Sequence, residues 1–383
     1  MVSFGDLYAL PSRNGLTRPS AVRGVGYRMA AMGEIFASNF VGNSEMERVR
    51  LNSRELSAMM LNNNDLLFAR QSLVLSGAGK CAIVRNLAEP TTFESHLIRV
   101  RLNEQKANPL FYMYYFRSPL SPMKSIVQQG VQAGIRGSDL AELQVHCPDK
   151  VTQDKIADIL FDYDAAIANC RKQIALLEEA AMRLYREWFG DGKGEKKRLS
   201  EVVEFDPPTK LMKGKRKFSV PMGALQVNSM VLDKSAFELT MGNSGSKFKN
   251  GDTLLARITP CLENGKTAFV FGVDDDGACG STEFIVMRSK ALNPYVVYLL
   301  ARTESFRKVA IGSMSGADGR QRARKEVIAS FEITVPPDSV IERFGGVCEP
   351  IFKQIEALQD LIYRLTEARD RLLPKLMKGD IAV

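Results

Sequence analysis

The sequence contains the same unit twice, at an offset of about 185–190 residues. Residues 66–70 return as 253–257, and residues 79–84 return as 265–270. Solenoid repeats are only about 20–50 residues long, so a repeat of this length is a whole domain together with a helix. The chain is therefore expected to build two related bodies, and to bind something that itself has two halves.

Each copy closes with a long stretch whose apolar residues are spaced alternately four and three apart. This heptad spacing is typical of a coiled-coil helix, and a cap is expected at 152–154. The second helix is expected to reach Leu373, where Pro374 would stop or kink it. Because both stretches share one register, we predict that they pair antiparallel. The predicted seam is Ile156, Leu160, Tyr163, Ile167, Cys170, Ile174 and Leu177 with Phe344, Cys348, Ile351, Ile355, Leu358, Ile362 and Leu365.

Strand-like patterns fill the segment before each helix. Short apolar runs broken by turn residues predict strand-rich domains, with one helix near 109–117 in the first. The fold class is therefore α+β, with two strand-rich domains related by the repeat and each followed by a long helix. The predicted division is a first domain over 1–150, a helix over 151–190, a linker over 191–198, a second domain over 199–337 and a helix over 338–383.

The composition excludes several classes of protein. Apolar residues make up 45% and charged residues 25% of the chain, as in globular proteins. No apolar run approaches the ~18 residues of a membrane helix, so a cytoplasmic location is expected. In the repeat Cys81 is replaced by Thr267, an exchange that indicates a small buried residue rather than a disulfide or metal ligand. One of the two histidines, His96, is replaced by Glu283, which argues against a fixed acid–base catalyst.

The net charge of +8 is concentrated in the strand-rich segments, whereas the helical stretches are slightly negative. This distribution is typical of domains that contact a polyanion. Basic residues common to both copies suit phosphate contacts, because the phosphate backbone of a nucleic acid is the same at every sequence. The alternative is that the arginines pair with Asp65 and Asp252. The shared candidates are Arg70 with Arg257 and Lys80 with Lys266.

Two further basic groups lie in predicted loops. The run at 319–325 precedes a helix, and its alternate arginines would point to one side of an extended loop, to clamp phosphates or contact guanine. The run at 213–217 has no counterpart in the first copy and is either a DNA contact or an exposed hairpin. For both groups the alternative is a solvated surface. The candidates are Arg136, in the part of the first copy that corresponds to 319–325, and Lys213, Lys215, Arg216, Lys217, Arg320, Arg322 and Arg324.

The alternation of strand-rich domains and long helices resembles the DNA-specificity subunits of type I restriction–modification systems. The most specific matches are the C-terminal residues 371–381, the stretch 251–257 and the strands at 95–100 and 281–286. The resemblance implies a non-catalytic subunit whose two domains each recognise one half of a split double-stranded DNA target. It also implies two docked methyltransferase subunits, which carry S-adenosylmethionine. Endonuclease–translocase subunits, which use ATP and Mg²⁺, would complete the complex, so no cofactor is expected in this chain.

A second class of function remains open from the residues alone. A coiled-coil scaffold protein with basic domains that bind nucleic acid nonspecifically would have the same long helices and charge. Competition by unrelated DNA at moderate salt separates the two classes, since nonspecific binding is nearly all counterion release.

Overall fold

The computed structural model describes residues 1–128, 133–190, 192–274, 276–316 and 319–383. These form two compact units, one of Met1–Asp164 with Glu367–Val383 and the other of Ala165–Thr366. Each unit therefore contains one strand-rich domain and part of each long helix. In the described part of the chain, none of the helices has both the length and the apolar character needed to cross a bilayer.

The first unit consists of short strands, four short helices and the ends of two long ones. Its described strands are β1 (Val2–Ser3), β2 (Tyr8–Asn14), β3 (Arg23–Ala30), β4 (Phe40–Val41), β5 (Arg48–Val49), β6 (Leu66–Ala69), β7 (Gln71–Ser72), β8 (Cys81–Val84), β9 (Thr91–Phe93), β10 (Leu97–Leu102), β11 (Ala133–Gly134) and β12 (Gln144–Val145). Its helices are α1 (Met32–Ala37), α2 (Ser53–Ala58), α3 (Pro109–Arg117), α4 (Gly137–Glu142) and the start of α5 (Lys150–Phe189).

A five-stranded sheet in the order β2-β10-β6-β8-β4 carries the core of this domain. Side chains alternate across a strand, so Leu66 and Phe68 pack with α3 while Leu67 and Ala69 join a second core on the other face. A strand buried on both faces explains why β6 is apolar at every position. Cys81 lies in the first core, where burial raises the pKa of its thiol. It therefore behaves as the small buried residue that the sequence predicts.

The second unit repeats this plan and adds strands of its own. Its described strands are β13 (Glu195–Arg198), β14 (Val203–Phe205), β15 (Lys217–Val220), β16 (Glu238–Thr240), β17 (Ser246–Phe248), β18 (Thr253–Ala256), β19 (Thr267–Phe269), β20 (Ala278–Gly280), β21 (Phe284–Ser289) and β22 (Glu332–Val335). Its helices are the end of α5, α6 (Leu199–Val202), α7 (Pro294–Ala301), α8 (Glu304–Gly312), α9 (Lys325–Ala329) and most of α10 (Asp338–Lys378). Within the predicted linker, residues 195–198 form β13, which pairs with β22, and position 191 lies outside the described residues.

The sequence repeat is a structural repeat with the same strand register. The sheet order β14-β21-β18-β19 matches β2-β10-β6-β8 strand for strand. Leu67 lies opposite Arg99 in the first domain, and Leu254 lies opposite Val286 in the second, at an offset of 187 residues for both partners. The prediction of two related strand-rich domains is confirmed.

A buried ion pair occupies the same place in both sheets. Asp65 is fully buried and accepts two bonds from Arg101, at 2.6 and 2.7 Å. Asp252 accepts two bonds from Arg288, both at 2.7 Å. Each carboxylate also accepts a bond from the backbone N–H three residues earlier in the chain, at 2.8 Å. These bonds satisfy both oxygens of a carboxylate that would otherwise be costly to bury.

The ends of the long helices differ from the sequence-based bounds. The side chain of Asp149 caps α5 by accepting a bond from the N–H of Thr152 at 3.0 Å, so the cap lies before the expected 152–154. At the other terminus α10 continues through Pro374 to Lys378, so the expected end at Leu373 is wrong. Leu376 and Met377 are buried in the first domain's core, and this burial outweighs the hydrogen bond that proline removes.

The two long helices pack antiparallel, as predicted. In the first unit Arg369 near the end of α10 forms an ion pair with Asp164 of α5. In the second unit the rings of Phe189 and Phe344, from the end of α5 and the start of α10, lie 4.9 Å apart. Buried members of the predicted seam are Ile156, Leu160, Ile167, Cys170, Ile174, Phe344, Cys348, Ile355 and Leu358, and half-buried members are Tyr163, Leu177, Ile351, Ile362 and Leu365.

An asparagine ties each domain to the long helix that follows it. Asn108 caps α3, and its amide nitrogen donates to the Asp154 carboxylate of α5 at 2.6 Å. Asn293 caps α7, and its amide nitrogen donates to the carbonyl of Ile341 in α10 at 2.8 Å. One side chain thus serves as helix cap and as anchor, which explains why the Asn-Pro pair occurs in both copies.

Candidate nucleic-acid interface

Arg70 and Arg257 lie at the same place in the two domains, directly after β6 and β18. The backbone N–H of each donates to the carbonyl of residue 96 or 283, at 2.7 and 2.9 Å. The carbonyl of each accepts from the N–H of Ile135 or Ala323, at 2.9 and 2.8 Å. The backbone therefore fixes these arginines at equivalent points, at the end of an inner strand of each sheet. This end of each sheet, with Arg70 or Arg257, is the edge of its domain.

The same backbone bonds bring a second arginine to each edge. Arg136 follows Ile135, and Arg324 follows Ala323, so each comes directly after the residue whose N–H donates to the carbonyl of Arg70 or Arg257. Both are exposed, and they occupy the N-cap positions of the short helices α4 and α9. Arg136 is therefore the structural counterpart of Arg324. Each domain presents two arginines at one edge.

The guanidinium groups of Arg70 and Arg257 keep most of their donors free of protein partners. Arg70 donates to the carbonyl of Ser95 at 3.3 Å, and Arg257 donates to the carbonyl of Ala323 at 3.4 Å. The alternative pairing with Asp65 and Asp252 is not what the structure contains, because those carboxylates bind Arg101 and Arg288. A guanidinium has five N–H donors, so both arginines can bind a further anion.

Lys80 and Lys266 also occupy equivalent positions, directly before β8 and β19, but their ammonium groups bond within their own domains. Lys80 donates to the carbonyl of Phe36 at 3.1 Å and lies 4.7 Å from the centre of that ring. Burial, followed by repulsion from Arg117, lowers the pKa of Lys80. Lys266 donates to the carbonyl of Met222 at 3.5 Å. Both lysines are half-buried, and their ammonium groups are bonded to backbone carbonyls of their own domain.

A hairpin closes the edge of each domain. The N–H of Gly134 donates to the carbonyl of Gln128 at 2.9 Å, and the N–H of Arg322 donates to the carbonyl of Ser315, also at 2.9 Å. Gly134 lies opposite Gln71 in β7, while Arg322 lies opposite Ile258. The hairpins are therefore equivalent, although they differ in length by one residue. Their tips, at 129–132 and 317–318, lie outside the described residues.

The exposed side chains at the two edges differ. In the second domain Arg322 donates to the Glu283 carboxylate through Nε at 2.9 Å and Nη2 at 2.7 Å, and this bonding lowers the pKa of Glu283. In the first domain Nδ1 of His96 lies 2.9 Å from Oε1 of Gln71. Sequence comparison aligned the histidine with the glutamate, but it missed Gln71 and both pairings.

The three alternate arginines of the run 319–325 have different surroundings. Arg320 is exposed, Arg322 is paired with Glu283, and Nε of Arg324 donates to the carbonyl of Ser313 at 3.1 Å. Only Arg324 has an arginine counterpart in the first domain, namely Arg136.

The basic run at 213–217 is divided by the fold. Lys213 and Arg216 are exposed, and Lys215 forms an ion pair with Asp276. Lys217 is buried, and its ammonium donates to Asn243 and to the backbone of the preceding turn. Lys217 is therefore a structural residue and does not present its charge to solvent, in contrast to the expected contact.

Comparison with known proteins shows which family this chain is similar to. Residues 29–179 match the family model described as the type I restriction modification DNA specificity domain. The type I restriction enzyme MjaIX specificity subunit of Methanocaldococcus jannaschii is 25% identical over 303 residues, which cover 72% of this chain and 69% of that protein. A putative type I restriction enzyme MjaX specificity subunit of the same organism is 24% identical and covers 97% of this chain and 91% of its own length.

The chain is thus similar to the type I restriction enzyme specificity subunits. A crystal structure of a type I restriction–modification S subunit from M. genitalium has the same fold, with a TM-score of 0.54 and 13% identity over 98% of this chain and 95% of that chain. The relatives are specificity subunits of type I restriction enzymes, and the matched family model describes a DNA specificity domain.

Proposed function

We propose that this chain is the specificity subunit of a type I restriction–modification system. It would bind DNA through two arginine pairs, Arg70 with Arg136 and Arg257 with Arg324. Each pair would hold the phosphates of one half of a split target. The observation that carries the proposal is the duplication itself, since both pairs are fixed by the same backbone hydrogen bonds in both domains. Residues shared by two domains with different targets suit the phosphate backbone, which has no sequence.

The chemistry of the pairs supports this assignment. Guanidinium groups bind phosphate oxygens through two parallel N–H bonds, and they remain charged at every physiological pH. Arg136 and Arg324 are exposed, and Arg70 and Arg257 are half-buried with donors to spare. The chain's net charge of +8 adds long-range attraction to a polyanion.

We further propose that the long helices dock the other subunits of the complex. These would be two methyltransferase subunits with S-adenosylmethionine, and endonuclease–translocase subunits that use ATP and Mg²⁺. Large apolar side chains lie exposed on both helices, away from the seam, where docked subunits would bury them. The exposed set comprises Val151, Leu176, Val347, Leu361 and Tyr363.

A combined replacement of the four arginines tests the phosphate contacts. The variant R70A/R136A/R257A/R324A should lose affinity for all DNA sequences about equally. The slope of log K against log salt should fall by about one for each phosphate contact removed, or about four in total. Fluorescence anisotropy of labelled duplexes between 50 and 200 mM salt measures both quantities.

The matched control removes four exposed basic residues that are each paired with a glutamate one helical turn away. These are Arg183, Lys308, Lys353 and Arg371. Their alanine variant should keep the wild-type slope. An unchanged slope in the arginine variant, or a loss confined to single base pairs, would contradict the phosphate assignment.

Sequencing of methylated bases distinguishes a specificity subunit from a nonspecific scaffold. A host that expresses the chain with its methyltransferase partner should carry modification at one split motif. A scaffold that binds nucleic acid nonspecifically would leave no motif, and unrelated DNA would compete fully for its binding at moderate salt.

Lengthening both helices tests whether they set the distance between the half-targets. Helix α5 runs without interruption from one unit into the other, as does α10. Seven residues inserted after Asp164 and after Thr366 preserve the heptad register and add about 10 Å of helix. We expect the half-targets to stay unchanged and the DNA between them to grow by about three base pairs, at 3.4 Å each.

Sequencing of methylated bases in a host that expresses the insertion variant measures the number of base pairs between the half-targets. An equal insertion in the exposed turn at 212–216 serves as the control and should leave the motif unchanged. New bases within the half-targets, at constant spacing, would show that the helices do not act as the spacer.

A further inference from the structure

We infer that one polar pair in each domain recognises a base: Gln71 with His96 in the first, and Arg322 with Glu283 in the second. The first pair suits an adenine and the second a guanine. The inference rests on the proposed function and names the residues that would determine specificity at the same two edges.

The two pairs occupy equivalent positions, even though their members come from different strands. Residues 96 and 283 both accept the backbone bond from the edge arginine, so His96 and Glu283 correspond. The partner side chain comes from β7 in the first domain, as Gln71, where the facing hairpin residue is a glycine. In the second domain the partner is the hairpin residue Arg322, and the residue that faces it is Ile258. In each domain one long polar side chain reaches residue 96 or 283. It comes from the strand in the first domain and from the facing hairpin in the second.

This exchange sets the pairs apart from the residues around them. The arginine pairs and the backbone bonds are the same in both domains, whereas the chemistry at this one place changes from an amide and an imidazole to an ion pair. Groups that contact phosphates gain nothing from such a change, because the DNA backbone is the same everywhere. Groups that contact base edges must change when the half-target changes.

The geometry of Arg322 favours guanine. Glu283 takes the bonds from Nε and from one N–H of Nη2, which leaves Nη1 and the second N–H of Nη2 at the end of the guanidinium. Those two groups match the O6 and N7 acceptors of guanine in the major groove. The carboxylate also holds the guanidinium in one orientation. Because the Glu283 carboxylate offsets the charge of Arg322, this arginine attracts a phosphate less strongly than an unpaired arginine would.

The geometry of Gln71 favours adenine. With His96 bonded to Oε1, the amide keeps both Nε2 donors and one acceptor lone pair. Adenine offers N7 as acceptor and N6 as donor in the major groove, and a glutamine amide bonds to both together. His96 is exposed and holds the amide from one side, as Glu283 holds Arg322.

The experiment uses the full complex with its methyltransferase, after the wild-type motif has been determined. We expect R322A to reduce discrimination at one guanine of one half-target by about 5- to 150-fold. Q71A should do the same at one adenine of the other half-target. Duplexes with 7-deazaguanine or 7-deazaadenine at those positions lack N7, so they should weaken binding of the wild type but not of the corresponding variant.

The controls separate base contact from charge and from folding. R322K keeps the charge but not the two parallel donors, so it should lose discrimination as R322A does. K308A removes an exposed charge from the same domain, where Lys308 is also paired with a glutamate, and should leave the motif unchanged. Wild-type affinity of R322A for unrelated DNA would show that the domain is folded.

Two results would overturn the inference in different ways. Equal weakening on all sequences by R322A, with a smaller salt slope, would make Arg322 a phosphate contact and leave the proposed function intact. If Q71A keeps discrimination at every base position, Gln71 does not contact a base, and the proposed function again stays intact. A wild-type complex with no sequence preference would instead remove the proposed function.

Discussion

Replacing Asp252 with alanine is expected to destabilise the second domain by about 3–5 kcal/mol, the usual cost of removing one partner from a buried ion pair. The variant leaves the Arg288 guanidinium on the sheet without its two carboxylate bonds, and it leaves one backbone N–H without an acceptor. Most of the cost comes from the charge that stays behind. Replacing Asp252 and Arg288 together by apolar residues of similar volume should therefore restore much of the stability.

Hydrogen exchange followed by mass spectrometry measures this effect in each domain separately. Amides of β18 and β21 should lose protection in D252A, while those of β6 and β10 should keep it, because the first sheet has its own ion pair between Asp65 and Arg101. In the variant D65A the amides of β6 and β10 should lose protection, while those of β18 and β21 should keep it. E304A, which breaks an exposed pair with Lys308, is the control and should change almost nothing. Equal loss of protection in both sheets would mean that the two domains do not have separate cores.

Most of the architecture follows from the sequence because its strongest signals are periodic and duplicated. Strand β6 is apolar at every position and β18 at every position but Thr253, since both strands are buried on both faces, and the pattern recurs in both copies. The heptad spacing of α5 and α10 predicts their pairing because helical spacing places those side chains on one face. These features can be predicted from the sequence because they depend on the spacing of apolar residues along one segment.

The differences arise where a distant contact decides the outcome. Pro374 is a local signal for the end of a helix, yet α10 continues to Lys378 because Leu376 and Met377 are buried in a core formed by residues some 200 or more positions away in the chain. Lys217 lies in a basic run that looks exposed, but Asn243 and the preceding turn enclose its ammonium. Each placement depends on a partner outside the local sequence, namely the first domain's core for Leu376 and Asn243 for Lys217.

The candidate interface also has residues that the sequence repeat predicts and residues that only the fold shows. Arg70 and Arg257 stand out in the sequence because the repeat preserves them. The pair formed by Arg322 and Glu283 does not, because its hairpin is one residue longer than that of the first domain, and its counterpart in the first domain uses Gln71 from the facing strand. Residues that change between the copies carry no repeat signal, and only the backbone register shows that they occupy one position.

A similar limit applies to the seam of the long helices. Heptad spacing selects Ile351 for the contact with α5, but the neighbouring Phe352 is the more deeply buried residue and faces the second domain. Its ring lies 4.5 Å from that of Tyr295 in α7 and 5.0 Å from that of Phe269 in β19. One helix thus contacts two partners through adjacent positions, and the heptad describes only one of them.

Replacing Phe352 with alanine should therefore cost the second unit about 3–5 kcal/mol, the range measured for deleting buried aromatic rings. The loss has two parts, the apolar surface of the ring and the cavity left between α10, α7 and β19. Hydrogen exchange should show lower protection in α7 and β19, with the amides of the first unit's sheet unchanged. V347A, which truncates an exposed apolar side chain on the same helix, is the matched control and should cost far less. A loss of protection confined to α10, with α7 and β19 as stable as in the wild type, would mean that the second domain does not depend on this helix for its core.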